Sequence, residues 1–203
     1  MFLDVATANP TQLYQALVGI VSPRPIAWVS TVDRQGRPNL APFSFYNLFG
    51  SNPVVVVFSP TTRPDGSKKD TLLNLMEVPE FVINSAVWPL SHEMNATSAE
   101  LPRDQSEADL VGLEMIASTK VKPGRVKKSP VQMEGKVRQI LPIGEGPRSA
   151  NLVIGEILCI HIDDAVLDAQ GKVDPHKLQT IGRLGGLWFC KTSELFEIER
   201  PGL

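Results

Sequence analysis

The chain of 203 residues is 42% hydrophobic, enough to bury a full core, and no linker or low-complexity run divides it, so a single domain over residues 1–203 is expected. A formal net charge of −2 excludes binding built on broad positive charge, and no apolar run approaches the roughly 18 residues of a spanning helix. Neither nucleic acid nor membrane is an expected partner.

In chain order the elements are mostly strands. Asn9-Pro10 reads as an N-cap followed by proline at the first helical position, and Leu13, Tyr14, Leu17, Val18 and Val21 form one apolar face behind it. "PIAWVSTVD" (25–33) and "PNLAPFSF" (38–45) flank Gly36, which supplies the turn of a β-hairpin. "VVVVFS" (54–59) is a continuous β-branched run, and "EFVINSA" (80–86) is another strand. Between them "KKDTLLNL" (68–75) opens an amphipathic helix whose Leu72, Leu75 and Met76 share a face and which Pro79 stops. Later strands are expected at 114–121, 132–141, 152–163 and 187–198, with "GEGPRS" (144–149) as a hairpin loop. Many strands and few, short helices indicate an antiparallel barrel rather than a parallel doubly wound sheet.

Several function classes find no support. There is no GxSxG elbow, no HExxH, no Walker loop and no strand–GxGxxG–helix unit. Cys159 and Cys190 lack CxxC spacing and lie in apolar runs, which reads as buried thiols in a reducing compartment with no metal site implied. Strand alternation in "LCIHIDD" makes His161 a packed or surface histidine, and His92 and His176 have no companion at ligand spacing. The basic stretch "KVKPGRVKK" (120–128) has no interleaved aromatics and reads as a solvated loop. "MFLDVATANPTQ" at the start has an acid and no basic stretch, so a cytoplasmic location is expected. What stands out is the pair Lys68-Lys69 at the start of a helix, where the macrodipole favours anions: either two solvated lysines behind a Ser67 cap, or cations gathered for a negatively charged ligand.

The segment "SPRPIAWVSTVDRQGRPNLAPFSFYNLFGSNP" (22–53), followed by "KKDTLLNL", "EFVINSA" and then "LVIGEILCIHIDDAVLDAQGKVD" and "IGRLGGLWF", resembles the flavin reductase-like family with the FMN-binding split barrel. The resemblance implies an antiparallel Greek-key split β-barrel with a few short flanking helices, a homodimer, and FMN or sometimes FAD held near the subunit interface. It implies reduction of flavin by NADH or NADPH, with a separate monooxygenase or another electron acceptor downstream, or else a flavoredoxin-like carrier role.

By the same resemblance Lys69 and Thr71 would contact the FMN phosphate, with Ser59 and Arg24 adding polar or ionic contacts. Ser30, Thr31, Asn39, Ala41 and Ser44 would line the ring and ribityl chain, largely through backbone groups. Arg183 in "IGRLGG" would face the open side of the flavin or the nicotinamide nucleotide, unless it only closes a turn between glycines. Asp70 is expected to be structural, since a bare carboxylate beside a phosphate repels it. Trp28, Phe43 and Phe45 are expected in the core. No catalytic acid or base is required, because hydride transfer depends on holding the two rings in register.

Overall fold

The computed structural model describes residues 1–202. Helix α1 (Pro10–Ile20) starts as its sequence requires, with the Asn9 side chain accepting from the N–H groups of Thr11 and Gln12. β1 (Ala27–Val32) and β2 (Pro38–Phe43) form the expected hairpin, turning at Gly36 with φ +80°. β3 (Tyr46–Ser51) and β4 (Val54–Phe58) form a second hairpin, followed by α2 (Asp70–Glu77) and β5 (Glu80–Ser85). Short pieces follow: α3 (Ser91–Ala96), α4 (Glu107–Leu110), β6 (Met115–Ile116) and β7 (Arg125–Val126). The long hairpin of β8 (Val131–Ile143) and β9 (Ala150–Ile162) comes next, then α5 (Pro175–Leu178), β10 (Ile181–Arg183) and β11 (Phe189–Lys191).

Seven strands make one antiparallel sheet in the order β2-β1-β5-β8-β9-β4-β3. Its two edges, β2 and β3, are consecutive in the chain, joined only by Ser44 and Phe45. Two residues span at most about 7 Å, so the edges must lie beside each other and the sheet curls into a barrel. β2 and β3 are not paired in the ladder, which leaves a seam.

The barrel interior is filled by Ala27, Val29, Phe43, Val56, Phe58, Ile83, Val153 and Ile157, with Leu75 of α2 reaching in and Phe81 at the centre. Phe58 meets Phe81 edge-on, with ring centroids 5.4 Å apart. Two glycines of the long hairpin make room for that ring: a Cβ on Gly135 would lie 2.5 Å from Phe81 Cζ, and one on Gly155 2.4 Å from it. A second cluster covers the outer face of β1 and β2, where Trp28 and Leu40 pack against Leu90, Met94, Ala108, Val126 and Ile181. β1 is therefore buried on both faces, which is why its sequence alternates poorly.

Three sequence expectations change. The strand Tyr46–Ser51 was not anticipated, because Asn47 and Gly50 are poor strand formers and hide the pattern. The strands expected at 114–121 and 187–198 contract to Met115–Ile116 and Phe189–Lys191. The basic stretch is more than a solvated loop, since Val126 is fully buried and Gly124 accepts a hydrogen bond from Ser30 Oγ at 2.5 Å. The 144–149 segment is the hairpin loop it was expected to be, with Gly144 and Gly146 at positive φ.

Because Phe81 is enclosed, Gly155→Ala is expected to destabilise the chain by about 1–3 kcal/mol through overpacking. The urea midpoint should fall, and adding Phe81→Leu should recover part of the loss; an unchanged midpoint for Gly155→Ala would show that the ring yields freely.

Candidate functional site

Helix α2 begins without a side-chain cap. Lys69 occupies the N-cap position in extended conformation, and no side chain accepts from the first-turn N–H groups. Both lysines thus precede the helix instead of lying on its first turn, and Ser67 does not cap it. Lys68 is exposed and Lys69 half-buried. The Lys69 ammonium lies 5.5 Å from the centroid of the Phe43 ring. Burial first, and then the Arg63 charge, lower its pKa from the ordinary lysine value.

The surrounding charges cancel one another and leave Lys69 out. Asp70 is gripped by Arg63 at 2.7 Å and approached by Arg103 at 3.5 Å, while Arg63 also pairs with Glu100 at 3.4 Å. Asp70 is thereby structural, as expected. Among the described residues no carboxylate lies within ion-pair distance of Lys69. Lys69 is thus a partly desolvated cation without a direct ion-pair partner, reached by the Glu100 charge only at longer range, and it stands beside helix N–H groups that no side chain caps.

Two adjoining clefts meet at Lys69 and Arg63. One is bounded by Asn39, Ala41, Phe43, Thr71 and Glu107, the other by Tyr14, Phe45, Thr61, Thr62 and Arg148, the latter enclosing about 270 Å³. β2 presents its unpaired edge here. The Leu40 N–H donates to Glu107 Oε2 at 2.9 Å, so residues 38, 40 and 42 turn their backbone groups away from β1. Prolines at 38 and 42 then cost no ladder bond. Glu107 carries no sequence signal, being an ordinary acid in a short helix. Burial raises its carboxyl pKa, against the lowering effect of the Leu40 N–H.

The structure brings Asn39, Ala41, Lys69 and Thr71 together at the first cleft. Asn39 Nδ2 donates to Thr71 Oγ1 at 2.9 Å and to Thr31 Oγ1 at 3.4 Å, and Asn74 Nδ2 donates to Thr31 Oγ1 at 3.2 Å. Thr31 and Ser30 are themselves fully enclosed, and each is held by internal partners. Ser59, at the end of β4, accepts from the Asn151 N–H at 3.2 Å. Ser44, at the seam, accepts from Arg24 Nε at 3.4 Å. Trp28 and Phe43 are core residues, whereas Phe45 is 43% exposed and lines the second cleft.

The two arginines are anchors. Arg24 donates to the carbonyls of Val18 (2.6 Å), Val21 (2.5 Å) and Leu184 (3.0 Å), which caps the end of α1 and ties it to the loop after β10. Arg183 donates to the carbonyls of Gly186 (2.5 Å) and Trp188 (2.8 Å) and stacks 4.5 Å from the Phe189 ring centroid, so it closes a turn between glycines.

Comparison with known proteins agrees with this architecture. The Flavin reductase like domain matches residues 21–177, and the chain belongs to that family. The uncharacterized protein YwrF of Bacillus subtilis is 36% identical over 201 residues, covering 98% of this chain and 97% of its own. Nitrilotriacetate monooxygenase component B from Bacillus cereus superposes with TM-score 0.91 at 30% identity, covering 98% of each chain. The 2-nitrobenzoate 2-nitroreductase NbaA of Pseudomonas fluorescens gives 0.88 at 28% identity, covering 100% of this chain and 97% of its own. The fold is the split barrel, and among the described residues no helix is long and apolar enough to cross a membrane.

Since Arg24 serves three carbonyls, Arg24→Ala should cost about 1.5–3 kcal/mol, the range for a hydrogen bond to a charged group. Arg24→Lys should restore little of it, because one ammonium does not reproduce the planar fork. Full restoration by lysine in chemical denaturation would mean that charge alone matters there.

Proposed function

We propose that the protein is an NAD(P)H-dependent flavin oxidoreductase that binds FMN. The observation that supports this best is Lys69, an ammonium with no direct ion-pair partner at an uncapped helix start and only the longer-range attraction of Glu100, in a chain of the flavin reductase-like family. A flavin phosphate, carrying nearly two negative charges, supplies what the site lacks. Lys69, the first-turn N–H groups of α2 and the Thr71 hydroxyl would hold that phosphate, with Ser59 close in the chain to the same loop. The outward edge of β2 offers the carbonyls of Leu40 and Pro42 as acceptors to the ring, and small Ala41 lets a ligand approach that edge.

When bound, FMN supplies the hydride acceptor for NADH or NADPH. The protein's part is to orient and to exclude water, and the buried Asn39–Thr71–Thr31–Asn74 network keeps β2 and α2 in fixed relation for that purpose. Arg24 and Arg183 act behind the site by fixing α1 and the 184–188 turn. The name of the Bacillus cereus neighbour supports delivery of reduced flavin to a separate oxygenase. We also propose a homodimer, since Leu48, Phe49, Leu187 and Trp188 are exposed.

The deciding experiment mixes the FMN-loaded protein anaerobically with NADH or NADPH. Bleaching of the visible flavin band within turnover time is expected, in a preparation whose light-scattering mass is twice that of one chain. A bound flavin that bleaches only with other donors would make the protein an electron carrier, and a preparation that binds no flavin would overturn both readings.

Lys69→Ala should weaken FMN binding by about 1.5–3 kcal/mol and leave riboflavin, which lacks the phosphate, nearly unchanged. The lowered pKa of Lys69 sets the pH dependence: the anion binds the protonated ammonium, so FMN affinity falls as pH rises through that lowered value and riboflavin affinity does not. Equal FMN affinities for wild type and Lys69→Ala at low salt would move the phosphate site elsewhere.

A further inference from the structure

The barrel wall away from the β2 edge carries a second group of chemistry-bearing side chains. Glu134, Cys159 and His161 each offer one ligand atom, and these atoms all lie within 4.8 Å of one another. Strand pairing explains how they meet. Cys159 stands opposite Glu134 and His161 opposite Gln132, but between Glu134 and Gly135 the register slips, so that Gly135 faces Ile157 and Leu158 is an extra residue. Up to Ile157 the odd-numbered residues of β9 point into the barrel, as Val153 and Ile157 do. One inserted residue reverses that parity. Cys159 and His161 are thereby delivered to the outer face beside Glu134, where regular alternation would have sent them inward.

We infer that Glu134, Cys159 and His161 form a binding site for a thiophilic divalent metal ion of the zinc class. A thiolate, an imidazole and a carboxylate are the donor set that zinc and cobalt prefer over magnesium or calcium. The carboxylate is pre-positioned: Glu134 is fully buried, and its two oxygens accept from the backbone N–H groups of Thr119 at 2.8 Å and Lys120 at 2.5 Å. His161 Nε2 lies 2.7 Å from Glu134 Oε1 and 3.8 Å from Cys159 Sγ, so three donor atoms of different chemistry converge on one point. On binding, the ion takes the Nε2 lone pair of neutral His161, with the one ring proton held on Nδ1, and displaces the Cys159 thiol proton to solvent. His161 is partly exposed, at 29% of its side chain, which gives the ion a path of access and a fourth position for water.

Two cations face the group and set its limits. Arg125 Nε is 3.7 Å from Glu134, but its guanidinium donates to the Ala117 carbonyl and to Gln132 Oε1 at 3.2 Å, which holds it to the side. The Lys120 charge acts on the Cys159 thiol in the same sense as Arg125, easing loss of its proton. Burial and the Glu134 charge outweigh them and hold the thiol above its ordinary pKa.

The test is titration of the full chain, with any flavin it carries, with cobalt(II) alone. One equivalent should bind and give intense ligand-field bands at the red end of the spectrum, beyond flavin absorption, as tetrahedral thiolate coordination does. Cys159→Ser should abolish the intense bands, Cys190→Ser should keep them, and His161→Ala should weaken uptake by at least about tenfold. Wild-type protein that gives only the pale spectrum of aqueous cobalt overturns the inference without any variant. So do bands that survive Cys159→Ser in a chain whose circular dichroism shows it folded. Should Cys159→Ser fail to fold, His161→Gln serves as the second variant, and undiminished affinity there is equally contrary.

Discussion

A two-residue link between opposite edges of the sheet is the constraint on which the rest depends. Ser44 and Phe45 carry the chain from β2 straight into β3, and those strands are the first and last of seven. Closure follows from chain length alone, and it brings Phe43 into the same core as Phe58 and Phe81. The closed interior is narrow, which is why Phe81 needs Gly135 and Gly155 opposite it. Because β2 and β3 never pair, the seam leaves one strand edge with backbone groups to spare, and the candidate site lies along it.

The electrostatics of the seam follow from what is already neutralised. Arg63, Arg103, Asp70 and Glu100 form a self-satisfied cluster, so they hold the 63–70 loop in shape without contributing much net field. Lys69 stands within that cluster and outside its pairings. Burying a cation without a partner is costly, and its lowered pKa registers that cost. On the proposed reading, an anion completes that arrangement.

Much of this was legible in the residues. Asn9-Pro10, Gly36 and the face of Leu72 and Leu75 locate their elements, because capping, turn and periodicity are local effects. The family resemblance of 22–53 and "KKDT" directed attention to Lys69 and Thr71, which do share a cleft with Asn39 and Ala41. The role of Arg24 was not legible, since the Leu184 carbonyl it serves is fixed only by tertiary packing, whereas the turn that Arg183 closes is local and was one of its two readings. Glu107 reaches the Leu40 N–H across 67 positions, a contact no local pattern encodes. His161 is the partly exposed histidine that strand alternation suggests, but its meeting with Glu134 depends on the bulge at Leu158, which no local pattern encodes.

The central claim is that the phosphate of a flavin completes the charge at the start of α2. A crystal structure of the protein with FMN tests it most directly. The account predicts phosphate oxygens within hydrogen-bond distance of Lys69 Nζ and of the first N–H groups of α2, with the ring along the edge of β2. A phosphate bound elsewhere, with Lys69 left unpaired as it is here, would contradict it.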